Sequence, residues 1–385
     1  MVPNLRFSKF IEPWNNYVVS ELLTTFPTNS LSWDKLAYKQ DSAFKNLHYG
    51  LIHNGFKTTC ISGKNPLFPY INHSFIPTTY TLIQNGDLIL ADASEDRKDV
   101  GRPVEMLDIG HQKIVSGLHT IHARNKTDLI VNGFKGFYFQ SSAMKQQIFK
   151  IANGSKIYGI SSSAFSELQM FIPEKQEQKK IVDLMIKIEE RIQTQSKIID
   201  RLYSQIKYIK GQILNMTTIT ETKPLGQLCN ISTGKRDANE MKSNGSYKFF
   251  TCSKDDYCID TYSFDGEALI ISGNGELGLI KYYNGKFDAY QRTYVLQNFK
   301  CHPKYLMYVL QNKLPKKIEK EKNVGAMPYI VLKTLTSINI DILNMHDQIK
   351  IVNILNKFEE KLENDRILLE LFEKEKSFLL KNLFV

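Results

Sequence analysis

The chain has 385 residues, 42% of them hydrophobic and 23% charged, a composition that fits two or three folded domains and excludes a disordered chain. Lysine and arginine number 50 against 40 acidic residues, and the formal net charge of +10 suits a polyanionic partner. No apolar run approaches the ~18 residues of a bilayer span, and the start MVPNLRFSKF lacks the apolar stretch of a signal peptide, so the expectation is a cytoplasmic chain with no membrane.

Residues 1–172 read as a first globular domain. Its run GLIHNGFKT, Gly50 to Thr58, falls short of a phosphate-binding loop because Phe56 displaces the lysine. NPLF, Asn65 to Phe68, lacks the second proline of the adenine-gripping NPPF and reads as a loop. In SGLHTIHARNK, His119 and His122 have no nucleophile or carboxylate beside them; H-x-x-H spacing predicts a strand with one histidine on each face, usable as donors to bases or phosphates. The five cysteines, Cys60, Cys229, Cys252, Cys258 and Cys301, have no CxxC spacing and read as reduced thiols without zinc.

The strongest pattern runs from Gln176 to Leu214. Steps of four and three residues land on Ile181, Met185, Ile188, Ile192, Gln195, Ile199, Leu202, Ile206, Ile209 and Ile213, a coiled-coil seam interrupted only by Gln195. Pro173 precedes the run, which predicts one helix of about 39 residues, roughly 58 Å long. This central spacer helix is placed at 173–216, a second globular domain at 217–345 and a terminal spacer helix at 346–385.

The terminal helix repeats the seam 170 residues on, at Ile351, Leu355, Phe358, Leu362, Asp365, Leu369, Phe372, Lys376, Leu379 and Leu383. Gln178 and Gln348, and Glu189-Glu190 and Glu359-Glu360, also correspond. Ahead of each helix, NGSKIYGISSSAFSELQMFIP matches NVGAMPYIVLKTLTSINIDIL, with Gly154 opposite Gly325 and Tyr158 opposite Tyr329. Farther upstream, Asn85-Gly86 pairs with Asp265-Gly266. The sequence is an internal duplication. Its matched seams suit pairing with each other or with helices of another subunit, with a polar seam residue fixing register.

The second copy carries ALIISGNGELG, whose Gly273, Gly275 and Gly278 have G-x-G-x-x-G spacing. A dinucleotide loop must open a helix. Here LIKYYNGKFDAYQRTYVLQ follows, which predicts strands joined by a hairpin at Asn284-Gly285, and the first copy has Ala93, Glu95 and Lys98 in place of the glycines. A nucleotide site is therefore not expected.

Basic residues recur in the loops expected of both domains: Arg97, Lys98, Arg102, Arg124 and Lys126 in the first, and Lys235, Arg236, Lys254, Lys281 and Arg292 in the second. Residues 1–172 and 217–345 each carry 17 basic and 13 acidic side chains, whereas the terminal helix is near neutral. The excess lies where phosphates would be met, so these ten residues with His119 and His122 are the candidate DNA contacts.

PNLRFSKFIEPW, SGLHTIHARN, FIPEKQEQKKI, NMHDQIKIV and the duplicated plan resemble the specificity subunit of type I restriction-modification enzymes, over essentially the whole chain. Asn344-Met345-His346 departs from the first junction's Pro173-Glu174-Lys175 by lacking the proline. The resemblance implies an α+β protein with two α/β target-recognition domains and two spacer helices. It implies no chemistry and no cofactor in this chain, each domain reading one half of a split site in double-stranded DNA. The helices would hold two adenine-methyltransferase subunits that bind S-adenosylmethionine, and restriction subunits using ATP and Mg would translocate and cut. A domain of about 130 residues has a radius of gyration near ~14 Å, too small to carry the chain back along such a helix, so the helices are expected to be antiparallel. The alternative is a stand-alone DNA-binding scaffold with two modules on a coiled-coil rod.

Overall fold

The structure, a computed structural model, describes residues 1–40, 42–213, 219–321 and 329–385. The boundary expected between 216 and 217, the matched Gly325 and the side chain of Ile213 lie outside them. The chain divides into two compact units, Met1–Lys197 with Ile367–Val385, and Ile198–Arg366.

In the first unit the order is β1 (Asn15–Val18), α1 (Val19–Leu22), β2 (Leu23–Phe26), β3 (Leu36–Ala37), β4 (Phe44–Leu47), β5 (Cys60–Ser62), β6 (Tyr70–Ile71), β7 (Leu88–Ala91), β8 (Ala93–Ser94), β9 (Pro103–Leu107), β10 (Lys113–Ser116) and β11 (Thr120–Asn125). There follow α2 (Phe134–Gln140), α3 (Ser142–Ile151), β12 (Tyr158–Gly159), α4 (Ser162–Ser166), β13 (Gln169–Ile172) and α5 (Lys175–Ile213). The larger sheet runs β2-β11-β7-β9-β5 and the smaller β10-β4-β6-β3. Strand β7, LILA, is apolar throughout because both of its faces are covered. Leu88 and Leu90 feed a core shared with α2, α3 and the start of α5, while Ile89 and Ala91 feed a core with Leu47, Val104 and Ile114. The period of two divides one strand between two cores.

The second unit contains β14 (Ile219–Pro224), β15 (Asn230–Thr233), β16 (Tyr247–Phe250), β17 (Tyr257–Ile259), β18 (Glu267–Ser272), β19 (Ile280–Asn284), β20 (Phe287–Ala289), β21 (Thr293–Gln297), α6 (Pro303–Glu321), α7 (Leu332–Thr336), β22 (Asn339–Leu343) and α8 (Met345–Asn382). Its sheets repeat the first unit's logic. The order β15-β21-β18-β19 parallels β2-β11-β7-β9, and β17-β16-β20 parallels β6-β4-β10, with β4–β10 and β16–β20 both parallel pairs. In each unit the strand leading into the domain pairs antiparallel with the strand that opens the long helix, β1 with β13 and β14 with β22. Gly86 and Gly266, matched in the duplication, share the left-handed backbone at φ 82° and 91°.

The expected hairpin at Asn284-Gly285 does not form. Strand β19 pairs with β18 in one sheet and β20 with β16 in the other, so the turn carries the chain between sheets. Local turn chemistry fixes the reversal, and burial of Phe287 against Phe250 and Phe264 decides the sheet. The three glycines are likewise structural. A Cβ on Gly273 would stand 2.4 Å from the Arg292 carbonyl oxygen, and Gly275 and Gly278 take φ of 57° and 79°.

The long helices are antiparallel within each unit. In the first, Lys376 reaches Glu189 and Arg191 lies over the Phe372 ring; in the second, Lys210 reaches Glu359 and Arg366 bonds Tyr203. Seam residues Met185, Ile188, Gln195, Ile199, Leu202, Ile351, Leu355, Leu362 and Asp365 are buried, and Ile192, Phe358, Leu369 and Phe372 half-buried. Ile181, Met185 and Ile188 join the first unit's core beside Leu379, Leu383 and Phe384, so the seam begins as part of the domain.

Candidate nucleic-acid interface

The expected DNA contacts fall into two groups once their partners are seen. His122 is fully buried on β11: its Nε2 lies 2.7 Å from Asp87 Oδ2, and Arg124 donates to both Asp87 oxygens, each at 2.7 Å, and to the Leu82 carbonyl. Burial opposes ionisation of Asp87, but the bonds from Arg124 and His122 outweigh it and hold the carboxyl below its usual range. Arg124 also lies 4.8 Å from the Phe26 ring centroid. This network organises the domain interior, so His122 is not placed to meet a base. His119 stands apart from the strand at φ 54°, half-exposed, with Nδ1 3.3 Å from Asp92. The expectation of one strand carrying both histidines is thereby corrected: the chain turns at His119 before β11 begins.

Four further basic side chains are tied to their own unit. Arg97 lies over Phe149 and donates to the Ala152 carbonyl, and Arg102 donates to the His53 carbonyl beside Asp99. Arg236 pairs with the buried Asp288 at 3.1 Å, and Lys281 gathers the Lys254 carbonyl and Asp256. Lys126 and Lys254 are exposed with single tethers, to the Ser20 carbonyl and to Glu276. Lys98, Lys235 and Arg292 are exposed, and their side chains hold no ion pair among the described residues. Arg292 lines a groove with Thr233, Gln291, Tyr294 and Tyr329.

Lysine-aromatic pairs missed in the sequence lie on the smaller sheet of the first unit, those of Phe44 and of Lys45 on opposite faces of it. Lys113 and Phe44 face each other across β10 and β4, as do Lys45 and Tyr70 across β4 and β6, and in each pair the ammonium stands 5.4 Å from the ring centroid. Lys35 holds the same relation to the exposed Phe75, and Tyr80 packs edge-on against Phe44. Each ammonium lies within cation–π reach of its ring. The groove alongside is lined by Pro27, Thr28, Phe75, Thr79 and Tyr80. In the second unit the matching strand β16 opens Tyr247-Lys248, and Lys286 stands over Tyr262, which packs on Tyr247. The signal was present as aromatic-lysine dipeptides, Phe44-Lys45 and Tyr247-Lys248, but they sit in strands and not in the loops where basic residues recur.

Among the described residues no group of three or more His, Cys, Asp or Glu side chains is arranged to hold a metal ion, and no helix is long and apolar enough to cross a membrane. All five cysteines are free thiols, and burial pushes Cys229 up to about 12 and Cys301 up to about 11.

The chain is similar over limited stretches to curated relatives. It is 35% identical over 150 residues to the EcoDI specificity subunit of Escherichia coli, covering 39% of this chain and 33% of that one. It is also 35% identical over 111 residues to the MpnII specificity subunit of Mycoplasma pneumoniae, covering 28% and 32%. The alignments therefore span about a third of each of these relatives. The crystal structure of the type I restriction-modification S subunit from M. genitalium shares the fold, with a TM-score of 0.64 at 15% identity over 100% of this chain and 99% of that one. The family described as the type I restriction modification DNA specificity domain matches residues 108–204 and 220–372. These two stretches make up well over half of the chain and take in both copies of the duplicated plan, so the chain belongs to the type I restriction-modification DNA specificity family.

Proposed function

We propose that this chain sets the DNA sequence specificity of a type I restriction-modification complex, each globular domain reading one half of a bipartite duplex target. The observation that carries the reading is the structural duplication: two sheet pairs of the same strand order, each delivered onto its own long helix, within a chain of this family. The domains are 1–172 and 217–345, and the helices of 173–216 and 346–385 dock two adenine-methyltransferase subunits. S-adenosylmethionine belongs to those subunits, and ATP and Mg to restriction subunits that complete the complex. Exposed Ile367, Leu371 and Phe378 lie along one face of α8, away from the seam, and supply apolar area for such docking. In the first domain the lysines set beside rings, Lys35, Lys45 and Lys113, with Lys98, supply the DNA contacts; in the second, Lys235, Lys248, Lys286 and Arg292 do so.

The test is sequencing of methylated adenines in cells that carry modification subunits, with the chain, without it, and with Lys35→Ala/Lys45→Ala/Lys113→Ala. Bipartite methylation should require the chain. The triple variant should bind DNA about tenfold or more weakly, with a shallower salt dependence. A stand-alone scaffold would instead bind DNA and leave methylation unchanged, which sinks the reading.

A further inference from the structure

A heptad seam has a built-in ambiguity: sliding one helix by seven residues returns apolar side chains to apolar holes. In this chain the two long helices carry, at duplicated positions, a carboxylate that removes the ambiguity. Glu189 on α5 is 4% exposed, and its oxygens accept from the Thr59 backbone N–H at 3.0 and 3.1 Å, from the Thr59 hydroxyl at 2.6 Å and from Lys376 of α8 at 2.6 Å. Its counterpart Glu359 on α8 accepts from the buried Tyr308 hydroxyl of α6 at 2.9 Å and from Lys210 of α5 at 2.9 Å. Each carboxylate thus joins three bodies within its own unit: the helix that bears it, the other long helix, and the globular domain. Lys210 extends the second junction, donating to Gln311 Oε1 at 3.0 Å, while Asn312 donates to the Lys210 carbonyl at 2.9 Å.

A second pair of duplicated residues fixes the domain to the root of its helix. The buried Gln178 amide accepts from the Val131 N–H and donates to the Pro173 carbonyl; Gln348 accepts from the His302 N–H and donates to the Leu343 carbonyl. With the root held by glutamine, the carboxylate about three turns farther along supplies a second fixed point. Two points define the direction of a helix against a domain. A slip along the seam would strand Glu189 away from Lys376 with its charge still buried, a costly arrangement that apolar contacts do not offset.

We propose that Glu189 and Glu359 are positioning residues that lock each recognition domain and the paired helices in one register, so that the complex accepts a single spacing between half-sites. This rests on the specificity reading above and adds to it the residues that hold the spacing constant. Buried ion pairs such as Glu189–Lys376 are best attested in this registry role, while the half-buried Glu359 draws on Tyr308 and Lys210 together.

The experiment is adenine-methylation sequencing with the full chain and its modification subunits, comparing Glu189→Gln and Glu359→Gln with the wild type. Both variants should keep the same bases in each half-site, while the share of methylated sites whose gap is about three base pairs longer or shorter, matching the ~10.5 Å of a seven-residue slip, rises about tenfold. Glu189→Asp should restore the single spacing. A purely structural role would lower methylation at every site and leave the spacing untouched. Variants that fold as the wild type does and methylate only the original spacing would overturn the proposal. If Glu189→Gln does not fold, Lys376→Gln removes the same junction from its half-buried side and is read by the same criterion. Should the wild-type chain direct no bipartite methylation, the specificity reading falls. The lock is then decided on the free chain by a thermal double-mutant cycle between positions 189 and 376, where absence of coupling overturns it.

Discussion

Asp87 shows how far a single residue departs from what its neighbours in sequence suggest. It lies in the matched turn Asn85-Gly86-Asp87, yet its partners His122 and Arg124 come from a strand more than thirty positions away. With its pKa held low in the folded state by those bonds, its contribution to stability is complete above the unfolded carboxylate value and is lost as pH falls through the folded one. The window for that loss opens below about pH 4. Asp87→Asn leaves His122 and Arg124 facing a neutral amide, and should destabilise the first unit by about 3 kcal/mol at pH 7. It should also flatten the acid limb of the stability curve. Urea unfolding at pH 7 and near pH 3.5 checks both, and equal midpoints at pH 7 would show that the network contributes nothing. His119, His122 and Arg124 were legible as a cluster in SGLHTIHARNK; that His122 and Arg124 turn to a buried carboxylate was not, because Asp87 is remote in the chain.

At the scale of elements the long helices were the most legible part of the molecule. Their apolar spacing is a local property that survives without knowledge of the partner, and α5 spans Lys175–Ile213 and α8 Met345–Asn382. The missing proline at the second junction is replaced by a cap. The Asn344 side chain accepts from the Asp347 N–H at 2.9 Å and donates to the Asp347 carboxylate at 2.8 Å. Ile199→Asp and Leu369→Asp each set a charge into the seam and should cost about 3 kcal/mol or more. Thermal melts and pull-down with modification subunits measure the loss. A fully folded variant that still assembles would show that the helices are not held by this seam. The short strands β19 and β20 were harder to place, since their apolar alternation fits either sheet and only packing selects one.

For the whole molecule, the division into two units falls inside both long helices, between Lys197 and Ile198 and between Arg366 and Ile367. Reading and spacing should therefore separate genetically. Replacing residues 1–172 by the corresponding domain of another specificity subunit should change one half of the methylated target and keep the other. Inserting four residues near Gln195 adds about one helical turn, ~6 Å, and should lengthen the gap by about one or two base pairs while both halves keep their bases. Methylation sequencing reads both outcomes; a swap that altered both halves together would make recognition a property of one composite surface.

The sequence by itself determined the duplication and the helix period, because each is written in spacing along the chain: apolar seams that recur 170 residues apart. Which basic side chains remain available to a polyanion was decided only by tertiary structure. Arg124, Arg236 and Lys281 are bound by carboxylates brought from elsewhere in the fold, whereas Lys35, Lys45 and Lys113 are set over rings on neighbouring strands and loops. A charge is a property of one residue, but its freedom depends on partners that folding alone brings within reach.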